Sequence, residues 1–294
     1  MQVLQGSLVA LVTPMLPNGD VDYSCLENLI DWHIGQGTNG IVSVGTTGES
    51  ATLNVKEHLD VIAFTVKHTN KRIPVIAGSG ANSTREAIDL TKESKRLGAD
   101  YALIVTPYYN KPNQNGLIAH YSAIADAVDI DQILYNVPSR TACDLLPSSV
   151  SVLSKHKNII GIKEASCIIE QCMEIVYHKP EDFLLISGDD VQAVPIISIG
   201  GVGVMSVIAN AFPQQFTSMI HHALAGDFTS ASKELGKFLT IDPFLYEEGN
   251  PVGVKKLLEN QGLFGAQVRM PLASASKELG NKLAQISSQE GLNK

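Results

Sequence analysis

The sequence has 294 residues, of which 44% are hydrophobic and 18% are charged. This composition supplies enough apolar side chains for a large core and excludes a disordered chain. Acidic residues outnumber basic residues by 30 to 22, which gives a formal charge of −8. A nucleic acid is therefore not expected as a partner, because neutralising phosphates requires a basic face. The four scattered cysteines form no Cys-x-x-Cys pair, which excludes a disulfide scaffold and a zinc ribbon.

Neither a targeting segment nor a membrane span is predicted. Residues 1–11 lack the basic flank and the long apolar stretch of a signal peptide. The longest uncharged segment, residues 191–212, is interrupted by a proline and three glycines. It therefore predicts a buried helix, a turn and a buried strand. We expect a cytoplasmic protein that has no membrane partner.

Eight short apolar stretches, most of them rich in Val and Ile, alternate with segments whose apolar residues recur at helical spacing. Continuous apolar stretches are typical of parallel strands that are covered on both faces. The predicted strands are residues 8–12, 40–44, 73–77, 101–105, 132–136, 159–162, 183–187 and 202–207. Eight strand–helix units at a spacing of roughly 28 residues predict a (β/α)8 TIM barrel of the α/β class.

An open, doubly wound sheet is the alternative fold. It usually has a glycine-rich turn after the first strand, and the Thr-Pro-Met of residues 13–15 is not such a turn. We therefore expect a catalytic barrel over residues 1–225 and a helical C-terminal extension over residues 226–294 that packs on it. Helices are predicted in the extension over residues 229–239, 252–261 and 273–286, and residues 287–294 are expected to be frayed.

Catalytic side chains of such barrels lie at the carboxyl ends of the strands. Lys163 closes the sixth apolar stretch, whereas most other lysines occur in polar helices or loops that are typical of solvated surface. A lysine amine among apolar groups can attack a carbonyl carbon and form a Schiff base. The alternative is a structural ion pair between Lys163 and Glu164 or another carboxylate.

The second and fifth predicted strands also end in functional side chains. The motif GTTGES at residues 45–50 offers the hydroxyls of Thr46 and Thr47 and glycine-flanked N–H groups, which suit a small carboxylate. An ordinary turn is the alternative interpretation. Tyr135 ends the fifth strand, where its hydroxyl could move protons in the barrel mouth. Arg140 follows in the loop and could hold a second anion, although a solvated arginine is the alternative.

The fourth predicted strand ends in two adjacent tyrosines, Tyr108 and Tyr109, between prolines. These side chains project either into a site or into a contact between subunits. Together the four strand ends describe a class I aldolase reaction on a keto acid, with Lys163 as the nucleophile. The histidines lack metal-ligand spacing, and neither a P-loop nor a G-x-G-x-x-G motif occurs. We therefore expect neither a metal nor a cofactor.

These motifs closely resemble the dihydrodipicolinate synthase family, and the likeness covers nearly the whole chain. The segments that carry it are GTTGESATL at 45–53, TPYYN at 106–110, YNVPSRT at 135–141 and GIKE at 161–164. The resemblance implies a lyase that condenses pyruvate with L-aspartate 4-semialdehyde through a Schiff base on Lys163. The product would be 4-hydroxy-tetrahydrodipicolinate, at the first committed step of diaminopimelate and lysine biosynthesis.

The resemblance also implies roles for individual residues. Thr46, Tyr135 and Tyr109 would form a proton relay, with Tyr109 contributed by the neighbouring subunit in a homotetramer made of two dimers. Thr47 would bind the carboxylate of pyruvate, and Arg140 the carboxylate of the semialdehyde. Two further positions match residues that line the pocket, namely Gly188 and Met205.

A regulatory site for lysine is a further implication of the resemblance. The matching positions are Ser50, Ala51, His58, Asn82, Glu86 and Tyr108. Val55 occupies a position at which lysine-sensitive members often carry histidine or lysine. Because a valine cannot supply that polar contact, we expect weak inhibition or none.

Three alternatives stay open at this point. N-acetylneuraminate lyase shares the barrel and the Schiff-base lysine, but it typically has serine at the position of Thr46 and no arginine at that of Arg140. Keto-deoxy sugar acid aldolases are a second alternative. The third is a catalytically silent barrel that serves as a binding or scaffold protein. The presence of both Lys163 and Tyr135 argues against it.

Overall fold

The structure is a computed structural model that describes residues 4–292. Eight parallel strands close into a barrel in chain order, and β1 completes the circle by pairing with both β2 and β8. The strands are β1 (Gly6–Ala10), β2 (Gly40–Ser43), β3 (Val75–Gly78), β4 (Tyr101–Val105), β5 (Asp131–Asn136), β6 (Ile159–Glu164), β7 (Leu184–Ser187) and β8 (Gly203–Ser206). Each strand overlaps one of the predicted stretches, so the (β/α)8 fold is confirmed and the open sheet is excluded.

Helices connect the strands and cover the outside of the barrel. They are α1 (Tyr23–Gly35), α2 (Val55–Thr69), α3 (Thr84–Arg96), α4 (Gln114–Ala127), α5 (Pro138–Thr141), α6 (Pro147–Leu153), α7 (Ile169–His178), α8 (Ala193–Ser198) and α9 (Pro213–Leu224). Two of them end as the sequence predicts, because Gly37 and Gly98 adopt φ values of +87° and +93° just beyond α1 and α3.

Two strands differ from their predicted limits in ways that matter for the barrel. β1 starts at Gly6, which pairs in register with Gly203 of β8. A Cβ at Gly203 would lie only 2.2 Å from the Gly6 carbonyl oxygen. The two glycines therefore permit a close approach that an apolar pattern does not reveal. β6 continues through Lys163 to Glu164, and Lys163 pairs in register with Tyr135 of β5. The strand thus carries the lysine itself rather than ending before it.

Apolar side chains fill both surfaces of the sheet. The barrel interior holds one cluster, which includes Leu8, Val42, Ile76, Ile133 and Met205. Two other clusters lie between the strands and the surrounding helices. Burial on both faces explains why the strands occur in the sequence as continuous apolar stretches. Among residues 4–292, no helix is both long and apolar enough to span a membrane.

The C-terminal extension contains α10 (Phe228–Tyr246), α11 (Val252–Asn260) and α12 (Lys277–Gln289). The predicted helix over 229–239 is too short, because Ile241 and Leu245 are buried and α10 continues past Pro243. The predicted start at 273 is too early, since the side chain of Ser276 caps α12 by accepting a hydrogen bond from Leu279 N at 3.0 Å. The domain boundary after residue 225 stays a prediction.

The expectation of a frayed C-terminus is wrong for most of residues 287–294. Helix α12 includes Ser287, whose hydroxyl donates to the Leu283 carbonyl at 2.8 Å. Leu292 is only 1% exposed and belongs to the core cluster beneath the extension. Residues 293–294 lie outside the described residues.

Candidate active site

A cavity of about 430 Å³ opens at the carboxyl ends of the strands, where the fold places catalytic groups. Side chains from the loops after β2, β5, β6 and β7 and from the C-terminal extension form its wall. The structure thus brings most of the predicted catalytic and substrate-binding residues to one site. Those that line the cavity are Thr46, Thr47, Tyr135, Arg140, Lys163 and Gly188.

Lys163 is 6% exposed, and its Nζ lies 4.2 Å from the centre of the Tyr135 ring. The predicted alternative of an ion pair with Glu164 is wrong. Glu164 follows Lys163 on the strand, so the two side chains lie on opposite faces. Its carboxylate accepts hydrogen bonds from Asn136 Nδ2 at 3.1 Å and from Ser166 N at 2.7 Å. Within residues 4–292 the amine of Lys163 has no carboxylate partner and faces the cavity.

Gly188 makes room for this lysine. A Cβ at this position would lie 3.1 Å from Lys163 Cε and 2.7 Å from the Cβ of Ala165. It would also lie 3.0 Å from the Glu164 carbonyl oxygen. Contacts this short require movement of the neighbours, so the absence of a side chain at Gly188 permits the observed position of the nucleophile.

The loop of residues 45–50 is folded tightly by short-range contacts. Glu49 N donates to the Thr46 carbonyl at 3.1 Å, and Gly48 N donates to the Gly45 carbonyl at 3.1 Å. Glu49 adopts a left-handed conformation with φ of +58°. Thr47 is buried, and its hydroxyl accepts a hydrogen bond from Asn250 Nδ2 at 3.0 Å. These contacts hold both threonines at the edge of the cavity.

Arg140 lies on the single turn α5, which starts at Pro138 directly after β5. Its side chain lines the cavity and forms no ion pair in the part of the chain that the structure describes. Burial and nearby carboxylates raise the pKa of Tyr246 well above its usual range, and Arg140 opposes that effect. The guanidinium is therefore a local positive charge at the mouth of the cavity that is available to an anion.

Several cavity residues were not identified from the sequence. Asp242, Tyr246 and Asn250 come from the C-terminal extension, and Cys167 and Asp189 follow β6 and β7. Burial, reinforced by two neighbouring aspartates, raises the pKa of Asp242 to about 7. A signal was present in the sequence, because Asp242 interrupts an otherwise apolar segment of a helix.

Two predicted site residues lie elsewhere in this chain. Tyr109 is 91% exposed and is not part of the cavity wall, and its φ of +72° is unusual for a residue other than glycine. Met205 is 1% exposed and packs in the interior cluster that also contains Tyr135. It lies within the barrel rather than among the residues that line the cavity. Neither side chain therefore reaches the cavity within a single chain.

A second cavity, of about 290 Å³, adjoins the first and shares Thr46 and Arg140 with it. Residues predicted for a lysine site line this second cavity, namely Ser50, Ala51, His58, Glu86 and Tyr108. Asn82 is not among the lining residues, but its Nδ2 donates to the Tyr108 carbonyl at 3.3 Å. Val55 also lines the cavity and is 56% exposed.

Residues 3–290 match the Dihydrodipicolinate synthetase family. The chain belongs to this family. It is 49% identical over 290 residues to the 4-hydroxy-tetrahydrodipicolinate synthase of Pseudomonas savastanoi pv. phaseolicola, with 99% of each chain covered. It is 50% identical over 290 residues to the synthase of Alcanivorax borkumensis, again with 99% of each covered. The family predicted from four short motifs is thus confirmed over almost the full length.

Solved structures of the family agree with this assignment. The chloride-inhibited dihydrodipicolinate synthase from Acinetobacter baumannii, complexed with pyruvate, superposes on this chain with a TM-score of 0.96. The two sequences are 45% identical, and the match covers 98% of this chain and 99% of the other. The barrel and its C-terminal extension are therefore shared with an enzyme that binds pyruvate.

Proposed function

We propose that this chain condenses pyruvate with L-aspartate 4-semialdehyde through a Schiff base on Lys163 and yields 4-hydroxy-tetrahydrodipicolinate. Relatives that are 49% to 50% identical over almost their full length bear the name of that synthase. The observation that carries the proposed mechanism is the buried amine of Lys163. It packs on the ring of Tyr135 and faces a cavity that also contains Arg140.

The reaction begins when the neutral amine of Lys163 attacks the keto carbon of pyruvate, and water leaves as the imine forms. Loss of a proton from the methyl group then gives an enamine. Its carbon attacks the aldehyde carbon of the semialdehyde and forms the new carbon–carbon bond. Finally, the amino group of the bound semialdehyde attacks the imine carbon, which closes the ring and releases Lys163.

The other cavity residues bind and orient the two substrates. Thr47 and the tightly folded loop around it bind the carboxylate of pyruvate, and Arg140 binds the carboxylate of the semialdehyde. The hydroxyls of Tyr135 and Thr46 transfer the protons that these steps require. Local groups are essential, because a protein with a formal charge of −8 repels anionic substrates at long range.

Arg140 favours this function over the sugar acid lyase. A guanidinium suits a small second substrate that brings its own carboxylate into the site, whereas a sugar acid requires groups that bind hydroxyls. Turnover of pyruvate with L-aspartate 4-semialdehyde should therefore far exceed cleavage of N-acetylneuraminate. The opposite preference would contradict the proposal.

Borohydride reduction in the presence of pyruvate tests the Schiff base directly. We expect a mass adduct on Lys163, and its absence would overturn the mechanism. Arg140→Ala should keep this adduct but lose the use of the semialdehyde. If the adduct and the semialdehyde reaction vanish together, the role assigned to Arg140 is wrong.

We also propose a homotetramer of two dimers in which Tyr109 of one subunit completes the proton relay of its neighbour. The exposure of Tyr109 supports this assembly, because a large aromatic side chain that is 91% exposed is available to a partner. Sedimentation velocity at working enzyme concentrations measures the assembly. A fully active monomer would exclude any role of Tyr109 across an interface.

The second cavity is proposed as the binding site of a lysine effector with low affinity. Glu86 offers a carboxylate there, whereas Val55 adds an apolar side chain. Burial lowers the pKa of His58, whose Nε2 lies 2.7 Å from the Gly78 carbonyl oxygen. Lysine titrations of the activity should show weak inhibition or none, and strong inhibition would contradict the proposal.

A further inference from the structure

A second buried lysine contacts the loop of residues 45–50, which lines the cavity. Lys255 of α11 is fully buried and forms an ion pair with Glu49, which is 3% exposed. Lys255 Nζ donates to Glu49 Oε1 and also to the Gln267 carbonyl, the latter at 2.8 Å. The other carboxylate oxygen, Oε2, accepts a hydrogen bond from Arg269 N at 2.9 Å. The C-terminal extension therefore holds both oxygens of Glu49.

Glu49 belongs to the loop that carries Thr46 and Thr47. Its own backbone N–H donates to the Thr46 carbonyl, so fixing the carboxylate also fixes the peptide beside the two threonines. Asn250 of the same extension holds the hydroxyl of Thr47 at 3.0 Å. Two separate contacts from the extension thus act on one loop.

Stability alone does not account for a charged pair at this place. Replacing a buried ion pair by apolar side chains of similar volume is often neutral or stabilising. An ion pair with further hydrogen bonds is, however, more directional than apolar packing. The directional contacts of Lys255 and Glu49 are therefore suited to fixing the position of the loop that faces the cavity.

We infer that Lys255 is a positioning residue, which holds Thr46 and Thr47 through Glu49 in the arrangement that binds the carboxylate of pyruvate. The C-terminal extension is in this way part of the pyruvate half of the active site. The inference rests on the proposed function, because that function assigns the pyruvate carboxylate to this loop.

The test removes both charges together. Lys255→Met alone would leave Glu49 buried without its partner, which is strongly destabilising and endangers folding. The double variant Glu49→Gln/Lys255→Met leaves neither charge and nearly conserves volume. Thermal unfolding shows whether it folds. We expect KM for pyruvate to rise about 10- to 100-fold, because moving the groups that position a substrate by about 1 Å can lower its productive use by about 100-fold. KM for the semialdehyde should stay within about twofold.

Lys256→Met is the matched control. Lys256 is adjacent on α11, but it pairs with Glu259 at the partly exposed surface and does not contact the loop. Both KM values of this variant should equal those of the wild type. Asn250→Ala provides an independent arm that introduces no buried charge, and it should also raise KM for pyruvate selectively.

The outcomes separate the inference from the proposed function. A wild-type chain that forms no pyruvate adduct on Lys163 overturns both. A wild type that forms the adduct, together with a folded double variant whose KM for pyruvate is unchanged, overturns the inference alone. Equal increases in both KM values would indicate general damage and would also overturn it. If the double variant does not fold, Glu49→Asp replaces it. This variant keeps the buried pair of charges but shortens the side chain that joins Lys255 to the loop, and an unchanged KM for pyruvate in it overturns the inference.

Discussion

Gly188→Ala tests whether the position of Lys163 depends on the space that Gly188 leaves beside it. The added methyl group would lie 2.7 Å from the Cβ of Ala165 and 3.0 Å from the Glu164 carbonyl oxygen. Neither atom moves easily, because both belong to β6 or the residue directly after it. The third contact, with Lys163 Cε at 3.1 Å, involves a flexible side chain and is the one most easily relieved.

The methyl group is therefore expected to displace the amine of Lys163. Overpacking of this kind costs about 1–3 kcal/mol of folding free energy. Displacement of the nucleophile by a fraction of an ångström to about 1 Å lowers the rate by up to about 100-fold. We expect Gly188→Ala to fold with lower stability and to form the pyruvate adduct about 10- to 100-fold more slowly.

The assay is the rate of borohydride-trapped adduct formation at saturating pyruvate, with unfolding in urea measured in parallel. Gly236→Ala is the matched control, since its Cβ would meet no atom within 4 Å and the residue lies within helix α10. That control should be more stable by about 0.5–1 kcal/mol and should react at the normal rate. Adduct formation by Gly188→Ala at the wild-type rate would refute the steric argument.

Tyr135→Phe keeps the ring beside Lys163 but removes the hydroxyl, so the steady-state condensation rate should fall by roughly 10²- to 10⁴-fold while thermal unfolding stays unchanged. Asp242→Asn should remove a pH dependence of stability. The pKa of Asp242 in the folded chain, about 7, lies above its ordinary value of 3.8, so the wild type loses stability as pH rises between these values. Urea unfolding measures the free energy of unfolding of both proteins across this pH range. Relative to the wild type, that of the variant should increase by at most about 4 kcal/mol from the low to the high pH limit, and the same pH dependence in both proteins would contradict the prediction.

The barrel was predictable because its strands are buried on both faces. Such strands appear in the sequence as unbroken apolar stretches, and eight of them in a regular series leave few other folds. The close approach of the β1 and β8 backbones was not predictable from the pattern of apolar residues. The early start of β1 depends on Gly6 and Gly203, which contribute no apolar side chain.

The candidate site was predictable where its residues end strands. Lys163, Tyr135 and the threonines of the second loop were found in this way, and all of them line one cavity. Asn250 and Asp242 were not found, because they lie in the helical extension, which contains no strand end. The extension reaches the cavity only through tertiary packing, and spacing along the chain does not report such packing.

Lys255 shows most clearly what the sequence pattern leaves undecided. The sequence pattern gives it no distinct role, yet it is fully buried. A helical signal was available, because Val252 and Leu258, three residues to either side, are buried on the same face. Burial in itself does not identify a nucleophile, because Lys163 is also buried. The two lysines differ in their partners.

A carboxylate beside a buried ammonium stabilises the charged form, which is a poor nucleophile. Burial lowers the pKa of Lys255, but Glu49 opposes this effect and accepts a hydrogen bond from the amine. The amine of Lys255 is therefore engaged in an ion pair that holds the loop. Lys163 has an aromatic ring and open cavity beside it, and within residues 4–292 it has no carboxylate partner. The choice of neighbour, rather than the depth of burial, therefore separates the lysine that reacts from the lysine that positions.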